Sequence, residues 1–106
     1  MKKITKLAIA ALFGFAMMTT TLSADAAKGQ KLYSKYMKDV CGFSGAKFAA
    51  SHTQDEWEEI NTAGKFADEA KAICPAISDS YKDAWSEYLY DFSYEYASDS
   101  GNVPSC

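Results

Sequence analysis

One histidine and three cysteines are the side chains in this sequence best suited to chemistry: His52, Cys41, Cys74 and Cys106. A Ser-His-Asp or Cys-His device would have to be built on His52, because no second imidazole exists. Its place in the chain points first to a structural job. Thr53 and Glu56 fit a capping box at the start of a helix, which makes His52 the residue that closes a staple onto Trp57. No catalytic residue is assigned, and the chain is expected not to be an enzyme. A zinc site is also not expected, since dispersed cysteines and one histidine lack the close paired spacing of structural zinc ligands. A thiol-redox enzyme or small chaperone ranks last, because no Cys-x-x-Cys is present.

The compartment decides what the cysteines do. Lys2, Lys3 and Lys6 open the chain, an apolar run follows from Leu7 to Met18, and Ala24-Asp25-Ala26 supplies an Ala-x-Ala site. This is the pattern of a secretory signal peptide over residues 1–26, with the processed chain starting at Ala27 and lying in the periplasm or beyond. The apolar run is too short to cross a bilayer comfortably, and no later segment approaches that length, so no membrane span is expected after cleavage. Removing 26 of the 106 residues leaves 80, one small domain over 27–106 that benefits from a staple. One disulfide is expected in an oxidising compartment, contributing roughly 2–4 kcal/mol, with one sulfur left over. Nine residues separate Ala97 from Cys106. They reach at most about 30 Å, which makes Cys74 hard for Cys106 to meet and favours Cys41 with Cys106.

Periodicity gives an all-α domain of about four helices. The last, expected over Asp79 to Ala97, is the organising one: Tyr81, Trp85, Tyr88, Phe92 and Tyr96 recur on one helical face, with Leu89 beside them. A first helix over 28–40 sets Leu32, Tyr33, Tyr36, Met37 and Val40 on one side. A second begins at Thr53, buries Trp57 and Ile60, and stops at Gly64. A third runs from about Lys65 to Ile73 and is ended by Pro75.

Charge is unevenly distributed. Residues 27–53 hold five lysines against one acid, whereas residues 54–106 hold three lysines against twelve acids, and no arginine occurs. Such a domain is a poor nucleic-acid binder, since phosphate contacts need clustered cations. Lys28, Lys31, Lys35 and Lys38 form a row on the first helix. The plain reading of the row is solvated helix surface. The sharper one is a docking surface for an acidic or redox partner of the envelope. Tyr90 and Tyr94 lie off the main stripe of the last helix. Either the tail, with Val103 and Pro104, folds back over them, or they form an exposed aromatic patch for a partner.

The order of these pieces resembles the small class I c-type cytochromes. Gly29-Gln30-Lys31-Leu32-Tyr33-Ser34-Lys35-Tyr36 followed by a cysteine, a helix containing Glu56-Trp57-Glu58-Glu59-Ile60, a Gly64-Lys65-Phe66 and a C-terminal aromatic helix carry the likeness. The resemblance implies packed N- and C-terminal helices with haem attached just after the first. Attachment in that family uses Cys-x-x-Cys-His, and here Ser44 and Gly45 stand where the second cysteine and the histidine belong. The resemblance therefore yields two functional readings. The first is a non-enzymatic envelope binding protein on a cytochrome-c-like scaffold without cofactor, docking through the lysine row or through Tyr90 and Tyr94. The alternative is an electron carrier with atypical haem c, held by a single thioether at Cys41 with His52 as the metal ligand.

Overall fold

The computed structural model describes residues 24–104, and side chains from Asp25 onward. The expected signal segment up to Ser23, and Cys106, lie outside the described residues. All regular structure among the described residues is helical. The elements are α1 (Ala24–Leu32), a π-helical turn (Tyr33–Met37), α2 (Lys38–Cys41), α3 (Gly45–Ala49), α4 (Gln54–Thr62), α5 (Phe66–Ile73) and α6 (Ser86–Glu95). Short 3₁₀ turns at Pro75–Ile77 and Asp83–Trp85 link α5 to α6. Ala24 to Ala26, the expected cleavage motif, form the first turn of α1, and Ala26 is fully buried.

Six rings carried by five segments build the core. Phe92 of α6 stacks on Tyr33 of the π turn at 6.4 Å, and Tyr33 meets Phe48 of α3 at 5.4 Å. Phe48 stacks on Trp57 of α4 at 5.7 Å, and Trp57 meets Phe66 of α5 at 5.4 Å. Phe66 then touches Tyr90 edge-on at 6.2 Å, which returns the path to α6. Offset and edge-on pairs at these spacings suit the ring quadrupole and add to the area each ring buries. The polar atoms of the two buried donors are satisfied: Trp57 Nε1 donates to the Ala49 carbonyl at 2.9 Å, and Tyr33 Oη donates to the Phe43 carbonyl at 2.8 Å. Of the stripe expected along the last helix, Phe92 and Trp85 are buried, whereas Tyr81, Tyr88 and Tyr96 are half-buried and most of the core rings come from other segments.

Local signals in the sequence act where they were read. Thr53 Oγ1 accepts from the Glu56 amide at 3.2 Å, and Glu56 Oε1 accepts from the Thr53 amide at 3.0 Å, a complete capping box. Gly64 takes φ +74°, and the Gly64 and Lys65 amides donate to the carbonyls of Asn61 and Ile60. Only a residue without Cβ enters that left-handed region freely, so α4 stops there. At the other end of the molecule, Gly29 brings α1 onto α6. A Cβ on Gly29 would overlap the Tyr88 carbonyl and stand 2.8 Å from Phe92 Cβ.

Four expectations need correction. The last helix does not start at Asp79: Ser78–Ser80 form turns, Lys82 is extended, and only Ser86–Glu95 is α-helical. Tyr81 thus precedes the helix and packs its ring edge-on against Trp85 at 5.4 Å. Second, Tyr36 and Val40 do not point inward; they are 44% and 48% exposed. The π turn inserts an extra residue into the helical repeat, so Tyr33 and Met37, four apart, both stay in the core while Tyr36 swings out. Third, Cys41 does not pair with Cys106. It is bonded to Cys74 across a Cα separation of 5.5 Å. The C-terminal end of α2 and the C-cap of α5 are brought side by side, a juxtaposition set by packing and not by the reach of the tail. Fourth, the tail is pinned to the start of α4 and the end of α6. The Ser98 amide donates to the His52 carbonyl, Asp99 Oδ1 accepts from the Gln54 amide, and Asn102 Nδ2 donates to the Glu95 carbonyl. Pro104 is buried, but Val103 is 81% exposed and covers nothing.

Candidate functional site

The π turn has a second consequence, at the surface. With Tyr36 turned outward, its ring stacks on Trp85 at 5.2 Å and 18°. Trp85 is held from its other side by Tyr81, whose hydroxyl is fixed by Ser86 Oγ at 2.7 Å. Burial raises the Tyr81 phenol above its ordinary value, against the opposing effect of the Ser86 bond, so this hydroxyl stays a neutral hydrogen-bonding group. Leu32 closes one wall, and Asp79, Ser80 and Lys82 form the polar rim. Together they enclose an open cleft of about 590 Å³. That volume falls in the usual range for ligand sites, and the mix of aromatic floor and sparse polar rim is typical of them.

Lysines surround this cleft. Lys35 Nζ stands 5.3 Å from the Tyr36 ring centre, and Lys71 Nζ stands 5.7 Å from that of Tyr81. Both are within cation–π range, worth about 0.5–1 kcal/mol at exposed sites. Further along α1, Lys28 Nζ lies 4.3 Å from the Tyr88 ring. All four lysines of the predicted row, Lys28, Lys31, Lys35 and Lys38, are solvent-exposed. Lys35 of that row reaches the cleft through its contact with Tyr36.

The other predicted partner residues lie elsewhere. Tyr90 and Tyr94 are half-buried, their rings 6.0 Å apart, with Tyr90 against Phe66. Gln54 Nε2 donates to the Tyr94 carbonyl at 3.0 Å. Burial, followed by the nearby Glu58 carboxylate, pushes the Tyr90 phenol up. The Tyr90 ring joins α6 to α5, and the Tyr94 backbone joins α6 to α4.

Comparison with protein-family models, characterised proteins and solved structures finds no match to this chain.

The residues themselves decide whether haem fits. The Cys41 sulfur is committed to Cys74 and is not free to form a thioether. His52 is equally engaged: Nε2 lies 2.7 Å from Glu69 Oε2, Nδ1 lies 3.2 Å from Glu56 Oε1, and the ring meets Trp57 edge-on at 4.8 Å. The Thr53 amide, and next the His52 ring, hold the Glu56 carboxyl below its usual range. The staple of His52 on Trp57 is the geometry expected of the residue before a capping box. The space between the terminal helices is occupied by Tyr33, Phe48 and Phe92. This donor set does not fit the group, and no step is derived through it. Among the described residues no cluster of three or more His, Cys, Asp or Glu is arranged to hold a metal ion.

The Tyr36–Trp85 cleft was missed by sequence reading, which assigned Tyr36 and Trp85 to the core. A strict 3.6-residue count carries Tyr36 inward, and nothing in the residue types marks the inserted π residue.

Proposed function

We propose that this protein is an exported, non-enzymatic binding protein of the cell envelope, periplasmic or secreted, on a cytochrome-c-like scaffold whose cofactor position is filled by side chains. The observation that carries this reading is an open cleft floored by the Tyr36–Trp85 stack, with Lys35 beside it and Lys28, Lys31 and Lys38 exposed on the same helical segment. Lysine and aromatic rings thus meet at the cleft on an otherwise acidic chain. Aromatic residues are enriched at protein interfaces, and complementary charge guides encounter there. The scaffold part of the proposal is supported by the close crossing of α1 and α6 at Gly29, since packed terminal helices are what the resemblance implies.

The test is site-specific cross-linking in the native envelope. A photoreactive residue in place of Lys31 should capture one discrete partner. The quadruple charge reversal Lys28→Glu, Lys31→Glu, Lys35→Glu and Lys38→Glu should stop the protein from co-migrating with that partner. Undiminished association of the reversed protein would defeat the reading. So would a Soret band that survives acid-acetone extraction of the natively purified chain.

A further inference from the structure

From the cleft we infer the chemistry of the partner: an acidic peptide segment that lays one aromatic side chain into the cleft lined by Tyr36, Tyr81 and Trp85. This deepens the docking reading and rests on it. Three observations converge. Tyr36 is the large aromatic side chain that the π turn ejects from the core, and it stays 44% exposed with Trp85 stacked on its ring and Lys35 Nζ over it at 5.3 Å. π turns of this kind frequently accompany functional sites. Trp85, by contrast, is only 8% exposed and is braced by Tyr81, which Ser86 holds in turn. The floor is thus rigid before any partner arrives, and a preorganised site loses little ordering entropy on binding.

Charge selects the flanks of the segment. Lys35, Lys71 and Lys82 stand at the aromatic floor, and Lys31 and Lys38 are exposed before and after the π turn. Asp79 on the rim and Asp83 beside Tyr81 are the acids that oppose them. A basic segment would meet the lysines directly, and like charges across an interface cost affinity. A neutral aromatic ligand would leave these lysines unused. Carboxylates on either side of an inserted ring match both features. The cleft, at about 590 Å³, has room for one ring and the backbone on either side of it.

The experiment uses the full chain, isotope-labelled, and three capped synthetic peptides: Glu-Glu-Phe-Glu-Glu, Glu-Glu-Ala-Glu-Glu and Lys-Lys-Phe-Lys-Lys. Backbone amide shifts are followed on titration. The acidic phenylalanine peptide should produce saturable shifts at residues 32–36 and 79–85, and the other two should bind about tenfold more weakly or worse. Tyr36→Ser should weaken that binding about tenfold without changing its salt dependence. Lys82→Glu should weaken it and also reduce the salt dependence. Tyr36 is half-exposed, so its substitution leaves the core intact, and an unchanged spectrum elsewhere checks this. Equal binding of the two acidic peptides overturns the inference while leaving the lysine row as the docking surface. Shifts confined to other residues, or no binding by any peptide, overturn it outright. A concentration-dependent dimer that Tyr36→Ser abolishes overturns it as well, by showing a second copy of this chain to be the occupant.

Discussion

At the scale of single residues, two positions hold more of the structure than their size suggests. His52 bridges Glu56 on α4 and Glu69 on α5, stacks its edge on Trp57, and offers its carbonyl to the Ser98 amide of the tail. His52→Ala removes the ring contact and both bonds, and should cost roughly 1–3 kcal/mol in urea denaturation. His52→Phe keeps an edge against Trp57 and should recover only part of that loss. Full recovery by phenylalanine would mean the carboxylate bonds add nothing. Gly29 is the second such position. Its substitution by alanine must displace the Tyr88 carbonyl, which is backbone within α6 and cannot move alone. Gly29→Ala should therefore destabilise by about 1–3 kcal/mol even though alanine is the better helix former. A stabilised Gly29→Ala protein, measured the same way, would show that the two helices separate easily.

At the scale of elements, the molecule divides into parts specified by neighbours in sequence and parts specified only by neighbours in space. The start of α4 was legible because Thr53 and Glu56 satisfy each other within one turn, and its end because Gly64 alone enters the left-handed region freely. The all-helical class and the aromatic core followed from apolar spacing in the same way. The π turn was not legible: it turns Tyr36 off the face that Tyr33 and Met37 share and onto Trp85, a partner present only once the segment before α6 is in place. The late start of α6 was not legible either, since Lys82 is extended and a 3₁₀ turn precedes the helix. The cleft depends on both departures and so was invisible. The disulfide was misread because reach along the tail was weighed, whereas Cys41 and Cys74 meet through the packing of α2 beside the 3₁₀ turn after α5. That bond closes a separation of 33 residues. Chain-entropy arguments give such a loop about 3–4 kcal/mol, most of what keeps a small domain folded. Cys41→Ala with Cys74→Ala should lower the urea midpoint accordingly, and reductant should reproduce the effect in the parent protein but not in the double variant. Peptide mapping that joins Cys41 to any other cysteine would refute the pairing.

At the scale of the whole molecule, the excess of acids over lysines also acts within the fold as repulsion. Asp91 on α6 shows this most clearly. Burial first, and then the Asp25 carboxylate with Glu87 and Glu95 nearby, push its carboxyl above the usual range. Folding therefore disfavours the ionised form. The group supports the fold fully at pH below its unfolded value, and that support is lost as pH rises through the raised value. At neutral pH the native state thus carries an unfavourable carboxylate. Asp91→Asn removes it and should raise the urea midpoint at pH 7, by less than about 1 kcal/mol because solvent screens so exposed a group. The gain should vanish near pH 3, where the carboxyls are largely protonated. A chain begun at Ala27 supplies an internal control, because it lacks Asp25 while keeping Glu87 and Glu95. The same substitution should then stabilise the shortened chain less than the full one. A gain of equal size in both would locate the strain in the burial of Asp91 and not in its acidic neighbour on α1. A loss of stability at neutral pH would show that the Asp91 carboxylate is paired with a cation in solution, reversing the sign of the argument.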